Sequence, residues 1–484
     1  MESMTDTSFA ATLALVGVVV IVAALLSGVV DRWRVPQVAV FLVLGVVLGP
    51  YGLGLVDFPL HSTILQTLAT LGLVLVLFSD AVSLDVGAAR LHRRLVLIVL
   101  GPGTALTALL VALAAWSLLG FAPAPAAILG AALASTDPVV MRGLLRGGDV
   151  PAAARQVLSL ESGLNDIAVL PVVLVAMQFL RGPGSEPPLG RMALELFLLG
   201  PGAGVVIGFT GVAVLDQVRR KVAVRRDYES LYALGVAFTA YAAAEAVHGS
   251  GLLAAFAAGL TIAAVDAELC DCFLDFGQAA AEMFLLFTFV ALGSSLIWTG
   301  LSGVTWAGLA FAACALLARS ATLLVALRGQ PLDIRSRRVI VWFGPRGLSS
   351  LLLVLLPVFA GLPGAERLFA PAALVVLLSV VIHGGSLILL GKRDEAKGKG
   401  VAPPTPGPAP ARERTSERIT LDEMRRREVA GERVWLLDAR KERAYRDSDV
   451  KAKGAIRLSP EGNVARAAAE LALPRNDWLV AYCA

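Results

Sequence analysis

The chain has 484 residues, of which 57% are hydrophobic and only 17% are charged, and its formal net charge is +4. Its mean hydropathy is +0.74. These values exclude a disordered chain, a fibre and an ordinary soluble enzyme. Because about 20 apolar residues cross a bilayer as a helix, the chain has room for a dozen or more spans.

Charged residues are concentrated at the C-terminal end, where residues 392–484 carry 20 Lys/Arg and 15 Asp/Glu. This asymmetry predicts a membrane domain over 1–391, a linker over 392–418 and a small polar domain over 419–484. The Pro-rich run at 402–410 is typical of a semi-extended linker. No basic stretch is interleaved with aromatic residues, so the composition does not indicate nucleic-acid binding.

Apolar runs separated by short breaks predict thirteen transmembrane helices. Their approximate limits are 9–30, 36–55, 64–82, 95–119, 124–141, 156–180, 192–215, 230–247, 249–265, 280–298, 304–327, 338–360 and 368–391. Only residues 248–251 separate spans eight and nine, so these two spans could also be misread. Beyond the membrane domain, residues 420–430 are predicted to be helical, and 434–438 and 478–483 are predicted strands.

The basic residues of the short loops predict the orientation in the membrane. The loops after spans one, three, five, seven and eleven hold 17 Lys/Arg, whereas the opposite loops hold only Arg181, Arg191 and Arg367. Since basic loops stay on the cytoplasmic side, we expect the N-terminus outside and the C-terminus in the cytoplasm, in the cell (inner) membrane.

The first candidate site is a run of polar residues inside span five, Ser135-Thr136-Asp137-Pro138. An acid at mid-bilayer costs about 2.5–3.5 kcal/mol on insertion scales, so it indicates function. Pro138 lacks an N–H and frees a carbonyl one turn earlier. A helix broken here, with the Thr136 hydroxyl and the Asp137 carboxylate, suits a small cation. The alternative is a kinked helix near the interface, with Asp137 in water.

The second candidate site is the run from Glu161 to Asp166 in span six. Ser162 and Asp166 lie four residues apart and share a helix face, and Asn165 is beside Asp166. A carboxylate that either holds a cation or takes up a proton can couple the two. A polar stripe that only packs helices is the alternative. Asp80 in span three is a further acid, either of the site or of the interface.

The third feature is a lone arginine, Arg346, in the apolar span twelve. An arginine there needs a partner or must reach the interface. Glu161 is the natural partner, and we expect this pair to be structural. Cys/His clusters near the acids are absent from the sequence, which argues against a transition-metal site, so no cofactor is predicted.

Together, Thr136-Asp137-Pro138, the run 161–166 and the Gly344-Pro-Arg-Gly motif resemble those of the NhaP/NHE-type monovalent cation:proton antiporters. The resemblance covers roughly residues 10–391. It implies an all-α polytopic membrane protein of about thirteen helices, with inverted repeats and broken crossing helices in an NhaA-like fold. It also implies a homodimer, elevator-type alternating access and a role in pH homeostasis. The Gly-Pro before Arg346 departs from the family pattern.

The resemblance also implies roles for individual residues. Asp166 is the main carrier of cation and proton, in competition, and Asp137 is the second acid of the site. The expected alkali-cation ligands are Asp166, Asp137, Thr136, Ser162, Asn165 and Asp80. Glu161 and Arg346 are implied to form a structural ion pair. A single titrating acid implies electroneutral exchange of Na⁺, K⁺ or Li⁺ for H⁺, with Na⁺ as the first expectation.

The tail resembles part of a rhodanese-like α/β domain, on the segments 436–440, 453–458 and 479–483. Cys483 then occupies the position of the persulfide-forming cysteine. Because the chain stops at Ala484, before the loop that cradles the sulfur in that family, we expect no sulfur transfer. A membrane-anchored sulfurtransferase or sulfur-sensing protein is nevertheless the alternative function, and a cation channel is a third.

Overall fold

The fold is known from a computed structural model of the full chain. It describes residues 17–18, 21–22, 25, 37–50, 52–55, 62–84, 93–137, 150–181, 188–222, 226–265, 280–281, 283–284, 286–294, 304–330, 332–398, 424, 427, 431–440, 445, 450–458, 471 and 477–482. The chain divides into two compact units, Met1–Ala396 and Lys397–Ala484. Pro138, Cys483 and most of the predicted first span and of the predicted helix 420–430 lie outside the described residues.

The first unit is helical throughout its described elements. The helices are α1 (Gln37–Leu48), α2 (Thr63–Val82), α3 (Arg93–Ile98), α4 (Thr104–Leu119), α5 (Pro123–Ala134), α6 (Ala152–Leu180), α7 (Leu189–Ala193), α8 (Gly200–Lys221), α9 (Arg226–Ala246), α10 (Gly251–Val265), α11 (Trp306–Ala326), α12 (Ile334–Trp342), α13 (Leu348–Phe359) and α14 (Phe369–Gly398). Residues 286–294 are also helical. Within the described residues, six helical stretches are long and apolar enough to cross a membrane, and three shorter ones are apolar.

These helices agree with the predicted multi-pass membrane domain, but the described residues do not establish thirteen spans. Spans eight and nine are two separate helices, α9 and α10, with His248 in the left-handed region (φ 60°) between them. Within predicted span five the helix ends at Ala134, and predicted span twelve is divided at residues 343–347. The last helix continues to Gly398, past its predicted end at residue 391. The first part of the predicted linker is therefore helical.

Local sequence explains where several helices begin and end. Gly120 takes the left-handed conformation (φ 69°) that ends α4, and Pro123 begins α5 at a position where its missing N–H costs nothing. The Asp333 carboxylate caps α12 by accepting the Ser336 N–H at 2.9 Å. Short π-helical turns, Val99–Gly103 and Leu194–Leu199, lead into α4 and α8 at Gly-Pro-Gly sequences.

Helices α8 and α10 pack at close range through small residues. A Cβ added at Gly204 or Gly208 would meet the main chain of Ala254 or Ala258, respectively. Small residues at four-residue spacing allow this backbone approach, which is a common basis of helix association in lipid. The α8–α10 contact is therefore a tightly fitted part of the bundle.

The second unit contains a small parallel sheet. Strands β1 (Val434–Asp438), β2 (Ile456–Arg457) and β3 (Trp478–Tyr482) lie in the order β2–β1–β3. β1 pairs with β3 from Val434 opposite Trp478 to Asp438 opposite Tyr482. Both long strands match the predicted positions, and β2 was not predicted as a strand. Because the strands are parallel, Asp438 and Tyr482 meet at the same edge.

Candidate functional site

Two helix ends meet inside the membrane unit. Helix α5 ends at Ala134, and the next three residues are not helical. Helix α12 ends at Trp342, and residues 343–347 are not helical before α13 begins. The two breaks are joined directly, because the Asp137 N–H donates to the Pro345 carbonyl at 2.9 Å. The helix thus ends just before the predicted break at Thr136-Asp137-Pro138, of which Pro138 lies outside the described residues, and a second break, residues 343–347, lies across from it.

Arg346 supports the first break from the second. Its Nη1 donates to the carbonyls of Ala134 at 2.6 Å and Ser135 at 2.7 Å, and only 1% of the residue is exposed. The last carbonyls of a helix have no partners within the helix and carry partial negative charge, so a buried cation there is favourable. Arg346 therefore caps α5. The predicted pairing of Arg346 with Glu161 is wrong, because the guanidinium is directed to these carbonyls.

Glu161 is paired instead with Arg319 of α11. The carboxylate accepts from Nε at 2.8 Å and from Nη2 at 2.6 Å, a two-point contact between buried groups. Nη1 of Arg319 donates to the Ile340 carbonyl at 2.8 Å, near the end of α12. Each interrupted helix thus has an arginine at its carbonyl end, Arg346 for α5 and Arg319 for α12.

Sequence reasoning missed Arg319, although the signal was available. It is a lone arginine in the apolar span 304–327, and the argument applied to Arg346 applies to it equally. Gly344 explains how the guanidinium fits, since a Cβ there would come within 2.7 Å of Arg319 Cζ. The glycine of the Gly-Pro-Arg-Gly motif makes room for the second arginine.

The acid and the amide of α6 face the first break. Oδ1 of Asp166 accepts a short hydrogen bond from the Ser135 hydroxyl. Asn165 Nδ2 donates to the Ala134 carbonyl at 3.0 Å and to Thr136 Oγ1 at 3.3 Å. Asp166 Oδ2 and Asn165 Oδ1 are buried and make no hydrogen bond within the described residues. Two oxygen atoms of the kind that bind alkali cations are therefore available on adjacent residues of α6.

Asp137 and Thr136 lie where the sequence placed them, at this break, and both are buried. The Asp137 carboxylate packs on Gly347, where a Cβ would come within 2.6 Å of the Asp137 Cβ. It is also close enough to Asp166 for the two charges to interact. The structure therefore brings Thr136, Asp137, Asn165 and Asp166 together.

The two remaining predicted ligands are Ser162 and Asp80. The Ser162 hydroxyl is buried but donates to the Ser159 carbonyl of its own helix at 3.1 Å. Asp80 is half-buried in the last turn of α2, and α2 passes α6 at Gly163, whose Cβ would lie 3.9 Å from the Asp80 Cβ. Two hydroxyls that were not predicted as ligands face Asp166 instead, those of Ser135 and Ser349.

A cavity of about 520 Å³ approaches this region from one side of the bundle. Its polar lining residues are Gln66, Thr70, Gln178, Arg181, Arg191, Glu195, Tyr241, Glu245, His248 and Ser250. The lining residues closest to the site along their own helices are all leucine, namely Leu73 on α2, Leu174 on α6 and Leu352 on α13. Leu174 follows Asp166 by eight residues, about 12 Å of helix. These three residues, called the leucine layer below, lie along their helices between the rest of the cavity lining and the site.

A helical bundle with several apolar helices and buried carboxylates beside two joined helix breaks is typical of membrane transporters for small cations. The chain belongs to the sodium/hydrogen exchanger family, whose profile (sodium/hydrogen exchanger, transmembrane) matches residues 18–393. This is a family of secondary transporters and not of enzymes, which confirms the predicted class. The resemblance to monovalent cation:proton antiporters is confirmed with it.

Several relatives in sequence are named as antiporters. The chain is 27% identical over 368 residues to the K(+)/H(+) antiporter NhaP2 of Shewanella sp. (strain ANA-3), which covers 76% of this chain and 64% of that protein. It is 25% identical over 387 residues to the K(+)/H(+) antiporter NhaP of Alkalimonas amylolytica, covering 78% of this chain and 65% of the relative. The chain therefore spans slightly less than two thirds of the length of these relatives.

A solved structure shares the fold. The sodium proton antiporter MjNhaP1 from Methanocaldococcus jannaschii at pH 8 superimposes with a TM-score of 0.64 at 17% identity, over 77% of this chain and 98% of that one. A second structure of the same antiporter gives 0.63 at 19% identity, over 84% and 100%. The membrane unit thus has the fold of this antiporter.

Proposed function

We propose that the chain exchanges a monovalent cation for a proton across the membrane, one for one and without net charge movement. The observation that carries the proposal is the buried Asp166 carboxylate, with one oxygen bound by Ser135 and the other making no hydrogen bond within the described residues. Such a group binds a cation when ionised and a proton when not. Competition for one carboxylate couples the two movements without a separate gate for each.

The remaining groups of the site complete the proposed cation shell. Asn165 Oδ1, Thr136 Oγ1, the Ser135 hydroxyl and the Asp137 carboxylate are hard oxygen ligands, which alkali cations prefer. Na⁺ is the first candidate, and K⁺ and Li⁺ share its coordination chemistry. The relatives named above are described as K⁺/H⁺ antiporters and the structural neighbour as a sodium proton antiporter. The choice among these ions is therefore part of the test.

The proposed movement is of the elevator type. The two breaks, α6 and the arginine caps form one hydrogen-bonded body that carries the ion, while the tightly packed α8–α10 pair belongs to the part that stays in place. In this proposal the cavity lies on the outer side, because Arg181 and Arg191 belong to the sparsely basic loops. The protein acts as a homodimer in the inner membrane, and the leucine layer closes the outer path.

The alternative of a sulfurtransferase tail receives no support from the described residues. The second unit has a parallel sheet, as such a domain requires, but Cys483 lies outside the described residues. A cation channel is also less favoured, because a channel does not need a buried titratable carrier.

Proteoliposome exchange tests the proposal. Internal pH is followed after Na⁺, K⁺ or Li⁺ is added outside, with the membrane potential clamped at several values. Proton movement that follows the cation gradient and ignores the potential is expected, and it names the ion. Cation movement uphill at the expense of a proton gradient separates exchange from channel flow. Absence of cation-dependent proton movement would contradict the proposal.

A further inference from the structure

Helix α14 carries a buried polar pair, Ser379 and His383, which the exchange mechanism above does not use. The Ser379 Oγ accepts the backbone N–H of Arg346 at 2.7 Å. His383 Nδ1 lies 3.1 Å from that hydroxyl and 3.0 Å from the Ser379 carbonyl. The imidazole also packs beside Trp342, the last residue of α12, with ring centroids 5.9 Å apart. The pair therefore adjoins both the end of α12 and the break that follows it.

The Ser379–His383 pair is placed relative to the second break, residues 343–347, much as Asp166 is placed relative to the first break, residues 135–137. Ser135 in the first break bonds Asp166 on the long helix that follows, 31 residues on. Arg346 in the second break bonds Ser379 on the long helix that follows, 33 residues on. At the first break the helix supplies an acid to the ion site. At the second it supplies a hydroxyl and an imidazole, which bind main chain instead of an ion.

We infer that Ser379 and His383 are positioning residues for cation exchange, an inference that rests on the function proposed above. Ser379 fixes the main chain at Arg346, and His383 fixes the Ser379 hydroxyl. The Arg346 side chain then holds the Ala134 and Ser135 carbonyls, and the neighbouring Pro345 carbonyl holds the Asp137 N–H. Two paths therefore lead from Ser379 to the ligands of the cation.

The first test is the apparent KM for the cation in proteoliposomes. In Ser379→Ala the buried Arg346 N–H loses its acceptor, so either the main chain moves or the N–H stays unpaired at a cost in free energy. This variant is therefore expected to raise KM about fivefold or more. Ser379→Thr keeps the hydroxyl and should restore a KM near that of the wild type. His383→Phe, which keeps a ring against Trp342, should raise KM by less, and His383→Asn should recover part of the loss.

The control is Ser117→Ala, because Ser117 is exposed on α4 and donates to the Leu113 carbonyl of its own helix. KM does not depend on how much protein is folded, so it separates positioning from a general loss of stability. An unchanged KM in Ser379→Ala, in vesicles where the wild type exchanges, overturns the inference.

A second measurement does not need transport. Hydrogen–deuterium exchange of the purified chain in detergent is expected to rise in Ser379→Ala and His383→Phe over residues 343–347 and also over 134–137, with no change in α8 and little change in Ser379→Thr. Faster exchange confined to 343–347 overturns the inference, because the break would then move without moving the ligands. If the wild type exchanges no cation at all, the proposed function fails. In that case amide protection at 134–137 in the variants tests by itself whether Ser379 and His383 position the first break.

Discussion

Arg319 and Glu161 are 158 residues apart in the chain, yet the guanidinium and the carboxylate meet at 2.6 and 2.8 Å with both groups buried. The same guanidinium also binds the Ile340 carbonyl. The contact ties together α6, α11 and α12, of which α6 carries Asp166 and α12 leads into the second break. The elements that form the ion site are therefore held together by a charge pair whose two residues are not among the proposed cation ligands.

Removing one partner of this pair should be costly. Arg319→Leu leaves the Glu161 carboxylate buried without a counter-charge, so we expect a loss of about 3–5 kcal/mol in the free energy of unfolding. Arg191→Leu is the matched control, since the Arg191 side chain is 64% exposed and its loss from the pair with Glu195 should cost about 1 kcal/mol or less. Unfolding in detergent at graded denaturant measures both. Equal losses in the two variants would show that the buried pair has no special structural role.

Asp166→Asn should abolish exchange while the protein remains folded. The amide keeps the shape of the side chain and can still meet the Ser135 hydroxyl, but it cannot take up or release a proton at neutral pH. Asp216→Asn is the control, because Asp216 is more than one-third exposed on α8. Proteoliposome exchange per folded protein is the measurement. Full exchange by Asp166→Asn would remove this residue from the carrier role.

Gly347→Ala should impair cation binding. Its Cβ would press on Asp137, and overpacking of this kind costs about 1–3 kcal/mol or forces the carboxylate to move. Gly202→Ala offers the comparison, because nothing lies within 4 Å of the Cβ built there. We expect a raised KM or lost exchange for the first variant and wild-type exchange for the second. Identical kinetics for both would mean that Asp137 tolerates displacement and does not shape the site.

The proposed orientation predicts which side reaches the cavity. In a cysteine-free background, Ala360→Cys should react with a membrane-impermeant maleimide added outside intact cells, because Ala360 is exposed and lines the cavity. Arg220→Cys at the basic end of α8 is also exposed and should react only after the membrane is opened. The reverse pattern would invert the topology and place the cavity on the cytoplasmic side.

The polar tail should have its own pH dependence. Hydrogen bonds from Arg440 hold the pKa of Asp438 well below its usual range. A lowered pKa stabilises the folded tail at pH values above the ordinary Asp pKa of about 3.9, and this stabilisation is lost as pH falls below that value. Amide protection of 434–438, corrected for intrinsic rates, should therefore drop between pH 5 and pH 3 in the wild type. Asp438→Asn should lower protection at neutral pH and flatten this dependence.

The sequence predicted the broad outline of the fold because hydropathy is a strong local signal. Apolar runs gave the helices, and buried polar residues within them marked Thr136, Asp137, Asn165 and Asp166 as candidates. The partner of Glu161 could not be found in this way. Arg319 and Arg346 are both lone arginines in apolar runs, and only the three-dimensional packing decides which of them faces the acid.

Side-chain direction is the other feature that the sequence does not predict. Ser162 shares a helix face with Asp166 by spacing, but its hydroxyl has a nearer acceptor in the Ser159 carbonyl. Serine commonly bonds back to its own helix, and spacing alone does not reveal when it does so. Ser135 and Ser349 were missed because spacing within one helix does not reveal contacts made from another segment of the chain. Their contribution depends on helix ends that meet only in the folded bundle.

The hydrogen bonds between the two breaks have a consequence for biosynthesis. Ser135 and Arg346 are separated by 211 residues. At about 5–20 residues per second, the first break leaves the ribosome about 10–40 s before the segment that caps it. During that interval Asp137 and Asp166 are already made, while their supporting arginine is not. The nascent chain therefore contains both acids before Arg346, which supports the first break, has been synthesised. Insertion of the early helices and completion of the ion site are thus separate events in its synthesis.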